Sequence, residues 1–393
     1  MKSDWTSKRI SDIAFINPKE SIKRGQLAKK IAMDKLQPFT RDIPGFELEA
    51  FSGGSKFRNG DTIMARITPC LENGKTAKVG ILEDGEIGFG STEYIVFRAK
   101  ENTDEDFLYY LITSPAVREP AIKSMVGSSG RQRVQTDVVE NLEIPIPSYE
   151  EQKLIGGILR SIDDKILLNT QINENLEQQA AAYFYHQFIV NADPSWKEGT
   201  ISDLGTVIGG STPSKSKPEY YTDNGIAWIT PKDLSVDKSK FISHGADDIT
   251  ELGLRNSSAS IMPAGTVLFS SRAPIGYIAI ADGEVTTNQG FKSVVPNGNV
   301  GTAFVYYFLK NALPTIENMA SGSTFKEISG SAMRTVPAVI PDDGSLQEFS
   351  DFCEPLFQQQ RNLEAENRSL AALRDSLLPK LMSGELDVSE LDL

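Results

Sequence analysis

Two long stretches of this chain repeat apolar residues every seven positions. In residues 148–188 the repeating positions are Ile155, Ile162, Asn169, Leu176 and Tyr183, with Ile158, Leu159, Ile166 and Ile172 beside them. One apolar seam at this spacing predicts a long amphipathic helix. The stretch has 41 residues, so the helix would extend roughly 60 Å. A polar seam residue such as Asn169 would weaken a coiled coil but fix its register.

Residues 345–382 carry the same pattern. The repeating positions are Phe349, Leu356, Leu363, Leu370 and Leu377, with Phe352 and Leu373 beside them. Two helices of similar length that each have one apolar seam are predicted to pack together as an antiparallel coiled coil. Pro355 and Pro379 have no N–H to donate, so each predicts a kink or an early end of this second helix.

Short motifs of the first half recur in the second half, at offsets of about 195 to 206 residues. The recurring pairs are Phe107–Leu111 with Phe304–Phe308, Gly127–Ser129 with Gly322–Thr324, and Gly60–Thr62 before Arg66 with Gly265–Thr266 before Arg272. Self-similarity at a fixed offset indicates a tandem duplication. Each half is therefore predicted to be a globular segment followed by a long helix.

The globular segments predict a mixed fold. Short runs bounded by Gly or Pro, such as Thr62–Arg66, Tyr94–Arg98 and Thr266–Ser270, predict β-strands, and Asp106–Thr113 and Ala303–Lys310 predict short helices. We therefore predict an α+β fold of two tandem domains, each followed by a long helix, with pseudo-two-fold symmetry. The predicted bounds are 1–147 and 189–344 for the domains, 148–188 and 345–382 for the helices, and 383–393 for an acidic tail.

The formal net charge of −13 is unevenly distributed. Residues 1–147 are neutral, with 21 basic and 21 acidic residues, whereas the two helices and the tail together carry −9. This acidity argues against a protein that coats nucleic acid. The chain has no apolar run long enough for a membrane span, and MKSDWTSKRI lacks the apolar region of a signal peptide. Cys70 and Cys353 match no metal or redox spacing, so we expect reduced thiols in a cytoplasmic protein.

Residue sets for catalysis are scarce. The only histidines are His186 and His244, and neither has a partner at the spacing of a metal site. Residues 209–216 loosely resemble a phosphate-binding loop, but Ser214 stands where a glycine is required before Lys215. The chain also lacks the Asn-Pro-Pro-aromatic or Asp-Pro-Pro-Tyr tetrapeptide of an amino-methyltransferase.

Loops in both halves collect side chains that bind phosphates or base edges. The candidate nucleic-acid-binding residues of the first half are Arg66, Thr68, Asn73, Lys75, Ser91, Thr92, Arg131, Gln132 and Arg133. Those of the second half are Ser211, Thr212, Lys215, Lys217, Arg272, Asn288, Gln289, Lys292, Ser323, Thr324 and Lys326. A single loop of this kind is more often only a solvated surface, but repetition in both halves favours binding. We predict base contacts for Arg66 and Arg272, at offset 206, and phosphate contacts for Arg131 and Arg133. The alternative for Arg66 and Arg272 is an ion pair with a local carboxylate such as Glu72 or Glu93, since surface pairs are common though weak.

Several longer motifs resemble those of a known family. They are FRNGDT at 57–62 leading into ARITPCLENGK at 65–75, GFGSTEY at 88–94, IPIP at 144–147, GGSTPS at 209–214, NQGFK at 288–292 and LLPKLMSGE at 377–385. As a set they resemble the specificity subunit of a type I restriction–modification system, over essentially the whole chain. The resemblance implies two target-recognition domains, two spacer helices packed antiparallel, and no cofactor or catalysis in this chain.

The resemblance also implies partners. These are double-stranded DNA, two methyltransferase subunits that bind S-adenosylmethionine, and restriction (translocase) subunits that use ATP and Mg. The acidity is stronger than a DNA-binding protein would favour, which suggests that partner subunits supply most of the non-specific DNA affinity. Two alternatives stay open: a self-contained DNA methyltransferase, and a coiled-coil scaffold without a role on DNA.

Overall fold

The computed structural model describes residues 5–128, 130–322 and 326–388. The chain forms two compact units. Unit 1 contains the residues up to Leu168 and those from Asn367 onward, and unit 2 is Asn169–Glu366. Among the described residues, no helix combines the length and apolar composition needed to cross a bilayer.

The helices are mostly short, apart from two of 37 and 40 residues. They are α1 (Ile10–Ile13), α2 (Glu105–Thr113), α3 (Pro115–Lys123), α4 (Thr136–Glu140), α5 (Tyr149–Tyr185), α6 (Ile201–Leu204), α7 (Pro231–Val236), α8 (Glu251–Arg255), α9 (Gly301–Asn311), α10 (Leu313–Met319), α11 (Gly330–Arg334) and α12 (Asp343–Met382). A π-helical turn, His186–Val190, follows α5, and a 3₁₀ turn spans Pro218–Tyr220.

Unit 1 contains two four-stranded sheets and a two-stranded ribbon. Its strands are β1 (Thr6–Arg9), β2 (Ala14–Ile16), β3 (Leu27–Ile31), β4 (Glu47–Ala50), β5 (Lys56–Phe57), β6 (Thr62–Ala65), β7 (Thr76–Lys78), β8 (Gly88–Gly90), β9 (Tyr94–Ala99) and β10 (Glu143–Ile146). The strand orders are β2-β9-β6-β7, β4-β3-β8-β5 and β1-β10. The predicted strands at 62–66 and 94–98 are confirmed as β6 and β9.

Unit 2 repeats this architecture. Its strands are β11 (Lys197–Thr200), β12 (Gly205–Gly209), β13 (Tyr221–Thr222), β14 (Ile226–Ile229), β15 (Phe241–Ile242), β16 (Asp247–Ile249), β17 (Val267–Ser271), β18 (Ile275–Ala281), β19 (Thr286–Thr287), β20 (Lys292–Pro296) and β21 (Pro337–Ile340). The orders are β12-β20-β17-β18-β15, β13-β16-β14-β19 and β11-β21. Strands β2, β9, β6 and β7 thus match β12, β20, β17 and β18 in order, which supports the duplication.

A repeat that the sequence analysis missed lies at the start of each domain. Residues 10–12 and 201–203 both read Ile-Ser-Asp and begin α1 and α6. In each, the aspartate accepts a hydrogen bond from the backbone N–H three residues before it, at 2.9 Å for Asp12 and 2.8 Å for Asp203. This satisfies a donor that would otherwise lack a partner at the helix start.

Each domain core is completed by parts of both long helices. In unit 1, Ile155 and Leu159 of α5 and Leu381 of α12 pack with the α2 residues of the FLYYL motif. In unit 2, Phe184 of α5 and Phe349 of α12 pack with the matching motif on α9. Apolar seams therefore anchor the helices to the domains as well as to each other.

The two long helices pack antiparallel within each unit. In unit 1, Arg374 of α12 donates to Asp163 of α5 at 2.8 Å. In unit 2, Asn169 donates to Glu366 at 2.8 Å, and Tyr183 donates to Glu348 at 3.0 Å. As the residue number on α5 rises, the residue number of its partner on α12 falls, so the two helices run antiparallel. Helix α12 runs through both Pro355 and Pro379, so the prediction of an early end was wrong.

The structure distributes the predicted seam residues over several environments. Ile155, Ile162, Asn169 and Leu363 are buried, and Leu176, Leu356, Leu370 and Leu377 are half-buried. Ile172 and Leu373, which the spacing placed beside the seam, are exposed. Gln360 and Glu364 of α12 are buried although they are polar. The seven-residue spacing found the helices but assigned these two side chains to the wrong face.

Matching tyrosines of the duplicated motif hold each domain to α5. Tyr110 donates to Asp163 at 2.6 Å in unit 1, and Tyr307 donates to Glu177 at 2.8 Å in unit 2. Burial opposes ionisation of Glu177, but the ammonium groups of Lys240 and Lys310 outweigh it and hold the pKa of Glu177 below its usual value. Each carboxylate thus pairs with one tyrosine and with at least one cation, Arg374 at Asp163 and Lys240 at Glu177.

Candidate nucleic-acid interface

The first site lies at the end of β6, beside a hairpin whose described residues are 126–128 and 130–134. The Thr68 N–H donates to the Gln132 carbonyl at 3.0 Å, and the Val134 N–H donates to the Arg66 carbonyl at 2.8 Å. These backbone bonds bring Arg66, Thr68, Gln132 and Arg133 together although more than 60 residues separate the two segments. The predicted loops of the first half therefore share one surface.

One carboxylate lies between the two arginines of this site. Glu93 accepts hydrogen bonds from Arg133 Nε at 2.9 Å and Arg133 Nη2 at 2.6 Å. Its Oε2 is 3.9 Å from Arg66 Nε, an atom that is buried and has no hydrogen-bond partner among the described residues. The hydrogen bonds from Arg133 lower the pKa of Glu93, with burial opposing them. The local carboxylate pairing is thus present in the DNA-free chain.

The other candidate residues of the first half differ in whether they lie near this cluster. The Ser91 hydroxyl accepts from the Glu93 N–H at 3.1 Å, which shapes the loop carrying Thr92. Lys75 donates to the Met33 carbonyl at 2.9 Å and is not joined to the arginine cluster. Thr92, Asn73 and Arg131 are exposed.

The second site surrounds an open cavity of about 410 Å³ in unit 2. Five predicted residues line it: Thr212, Lys215, Arg272, Asn288 and Gln289. Trp228 and Lys232 line it as well, and neither was among the predicted site residues. The signal for Lys232 was the Thr-Pro-Lys-Asp sequence at 230–233, which begins α7 directly after β14.

Hydrogen bonds within the second site fix several of these side chains. The Trp228 indole N–H donates to the Ser211 carbonyl at 3.0 Å, and the Ser211 hydroxyl accepts from the Ser258 N–H at 3.3 Å. The Thr212 hydroxyl donates to the Gln289 side-chain oxygen. The loop at 211–212 and the loop at 288–290 therefore form one wall of the cavity.

The remaining cations of the second half lie beside acidic residues or in solvent. Glu327 is 3.4 Å from Arg272 Nη1 and 3.7 Å from Lys292 Nζ. Lys217 is 3.7 Å from Glu219, and Lys215 and Lys326 are exposed. The predicted residues Ser323 and Thr324 lie outside the described part of the chain.

Backbone hydrogen bonds correct the predicted equivalence of Arg66 and Arg272. The Arg66 carbonyl accepts from Val134, whereas in unit 2 the Ser271 carbonyl accepts from Ile328, at 3.1 Å. The cis-prolines Pro69 and Pro274 and the positive-φ glycines Gly60 and Gly265 also match at an offset of 205. The offset of 206 was therefore wrong by one residue. Because a shift by one residue turns a side chain to the other face of a strand, the side chains of Arg66 and Arg272 leave their strand ends on opposite faces.

The loops before β9 and β20 do match. The Asn288 side-chain oxygen accepts from the Gly290 N–H at 2.8 Å, as the Ser91 hydroxyl accepts from Glu93. Both oxygens therefore accept hydrogen bonds within their own loops. Equivalent loops thus carry Ser91 and Thr92 in one domain and Asn288 and Gln289 in the other.

Gly210→Ala is expected to displace the loop that forms the cavity wall. An alanine Cβ there would lie 2.0 Å from the Asn288 carbonyl oxygen and 2.4 Å from the Thr287 carbonyl oxygen. Because backbone atoms cannot yield as a flexible side chain does, we expect a loss of about 1–3 kcal/mol in unfolding free energy. Thermal unfolding and Trp228 fluorescence would measure it. Gly209→Ala, whose Cβ would meet no atom within 4 Å, is the matched control, and equal effects of both variants would contradict this account.

Comparison with known proteins gives consistent matches. The family model of the type I restriction modification DNA specificity domain matches twice, at residues 2–178 and 194–370. The MjaIX type I restriction enzyme specificity subunit of Methanocaldococcus jannaschii is 39% identical over 178 residues, or 43% of this chain and 41% of that protein. The HindI specificity subunit of Haemophilus influenzae is 26% identical over 424 residues, or 88% and 89%. The crystal structure of a type I S subunit from M. genitalium has the same fold, with a TM-score of 0.58 at 17% identity over 96% of both chains.

Proposed function

Because this chain belongs to the type I restriction–modification DNA specificity family, we propose that it reads a split, asymmetric target in double-stranded DNA. Residues 1–147 read one half-site, and residues 189–344 read the other. The observation that carries this proposal is the pair of loop clusters on matching sheets with different side chains. The two domains carry different side chains on matching sheets: Arg66 and Arg133 in one, and Arg272 and Asn288 in the other. Different side chains suit two different half-sites.

The long helices set the gap between the half-sites and provide a surface for partner subunits. Helices α5 and α12 are each continuous, and each contributes residues to both units. Leu168, Ile172 and Leu373 are large apolar side chains that these helices leave exposed. We expect partner subunits to cover these side chains in the complex.

The partners are two methyltransferase subunits that use S-adenosylmethionine and restriction subunits that use ATP and Mg, in the cytoplasm. This chain carries out no chemical step and positions its partners on the DNA. Its two long helices and tail hold most of its negative charge. The partners therefore supply most of the sequence-independent attraction to phosphates.

Exchanging residues 1–147 for the equivalent segment of a relative is expected to change one half-site only. The reason is that each domain has its own core and its own loop cluster. Modification-dependent sequencing of host DNA, with the assembled methyltransferase expressed, would report both half-sites and the gap. We expect the second half-site and the gap to stay unchanged. A change in both half-sites would contradict the proposal that each domain reads its own half-site. The converse exchange of residues 189–344 is the matched control.

A further inference from the structure

In each domain a single glutamate lies against two cations of the candidate interface. Glu93 accepts from Arg133 at 2.6 Å and lies 3.9 Å from Arg66. Glu327 lies 3.4 Å from Arg272 and 3.7 Å from Lys292. Both glutamate side chains are partly exposed, at 23% and 37%, so an approaching phosphate could reach the same cations.

The two glutamates do not come from equivalent positions in the duplication. Glu93 precedes β9, and its counterpart before β20 is Gly290, since the Arg66 N–H donates to the Glu93 carbonyl as the Ser271 N–H donates to Gly290. Glu327 corresponds instead to Arg133 of the first domain, because Arg133 bridges Ile67 as Glu327 bridges Arg272. Inheritance from one ancestral half explains a shared position. Inheritance does not explain why both domains place a carboxylate against two cations when that carboxylate comes from a different chain position in each.

Fold stability gives little reason for these pairs. Partly exposed ion pairs contribute about 0–1 kcal/mol. Two cations side by side without a carboxylate would, however, form a ready site for a phosphate, since charge-assisted hydrogen bonds to phosphate are strong. With the glutamate present, a phosphate must first displace a carboxylate that already occupies the same donors. Attraction to any DNA backbone is thereby reduced at these sites.

We propose that Glu93 and Glu327 are specificity-determining residues that weaken phosphate binding by their neighbouring cations until the correct bases are engaged. This inference rests on the proposed function. Each carboxylate holds its cations in the DNA-free chain and releases them when contacts to the half-site compensate for the lost ion pairs. The glutamates lower the affinity for random DNA more than the affinity for the target, because only the target offers that compensation.

The test uses Glu93→Gln in the assembled methyltransferase, with binding to a cognate and a random duplex measured over a salt series. We expect affinity for random duplex to rise about fivefold to tenfold, and the dependence of log K on log salt to steepen by about one, as for one added phosphate contact. Cognate affinity should rise less, so discrimination falls at the first half-site only. Glu327→Gln should do the same at the second half-site, and Glu93→Asp, which keeps the charge, should restore discrimination.

Two control variants lie outside the two clusters. Glu49→Gln and Glu251→Gln remove the same charge from ion pairs outside the two clusters, with Lys30 and Arg255 respectively, and should change random binding less than twofold. An unchanged salt dependence in Glu93→Gln, or an equal loss of random and cognate binding, would overturn the inference. Relaxation at one base pair without gain in random binding would assign Glu93 to direct reading of cytosine instead. A wild-type complex without sequence preference would overturn the proposed function itself.

Discussion

Asp163→Ala is expected to lower the free energy of unfolding of unit 1 by about 3–5 kcal/mol, because it removes the buried partner of Arg374 and leaves that arginine only the exposed Asp375. Asp163 is 4% exposed and Arg374 is 12% exposed. The same carboxylate also accepts from the Tyr110 hydroxyl at 2.6 Å, so the variant loses two hydrogen bonds at once. Urea and thermal unfolding of the full chain would measure the loss.

A matched control separates burial from mere loss of an ion pair. Glu150 and Lys153 form a pair at 2.6 Å on the same helix, but their side chains are 77% and 45% exposed. Glu150→Ala should therefore change the unfolding free energy by at most about 1 kcal/mol. The double variant Asp163→Leu with Arg374→Leu should recover much of the stability, since no buried charge stays unpaired. Similar losses in Asp163→Ala and Glu150→Ala would contradict the assigned role of burial.

The sequence predicted the helical parts of the fold well because their signal is local and periodic. The stretch 148–188 is a helix over Tyr149–Tyr185 with a π turn after it. The same periodicity misplaced Ile172 and Leu373, which are exposed. It assumes that a helix buries only one seam, whereas these helices also pack on the domains. Gln360, for example, is buried, and the hydrogen bond that its side-chain oxygen accepts from Lys240 at 2.6 Å offsets the cost of burying a polar group.

The candidate site was less predictable because its contacts are distant in sequence. Residue types and loop repetition indicated Arg66 and Arg133, and Glu93 was one of the two carboxylates expected as an alternative partner of Arg66. Nothing local indicated that Glu93 would also bind Arg133, which is 40 residues away. The equivalence of the two arginines was off by one residue because it was judged from residue identity. The hydrogen bonds of the strand ends, which set the true offset of 205, are visible only once β6 and β17 are paired with their neighbours.

Arg272→Ala in the assembled methyltransferase is expected to weaken binding to the cognate duplex by about 1–3 kcal/mol and to relax one base position. Arg272 directly follows β17, lines the cavity of unit 2 and is backbone-paired with Glu327. A rigid backbone favours a fixed bidentate contact with guanine over loose contact with phosphates. Arg66→Ala is expected to act in the same way on a position of the first half-site.

Phosphate contact has a different signature, which the hairpin arginines should show. Arg131 is exposed on the hairpin loop, and the side chain of Arg133, whose backbone pairs with Val126, is bound by Glu93. Arg131→Ala should weaken binding to all sequences about equally and lower the salt slope by about one. Arg133→Ala should lower the salt slope mainly on the cognate duplex, because Glu93 releases Arg133 only there. Binding of each variant to a panel of single-base target variants, over a salt series, distinguishes the two roles. Arg255→Ala, an exposed arginine paired only with Glu251 among the described residues, is the charge-matched control.

The two arginines must also differ from each other if the corrected offset holds. Arg66 corresponds to the buried Ser271, and Arg272 corresponds to Ile67, so their side chains leave the strand ends on opposite faces. The base pair whose recognition each variant relaxes should therefore lie at a different distance from the gap in each half-site. Equivalent arginines would instead relax recognition at the same distance from the gap in both half-sites. Relaxation at symmetric positions would contradict the offset of 205. If Arg66→Ala and Arg272→Ala both leave affinity, salt slope and base preference unchanged, neither residue contacts DNA, and the loop clusters are not the reading surface.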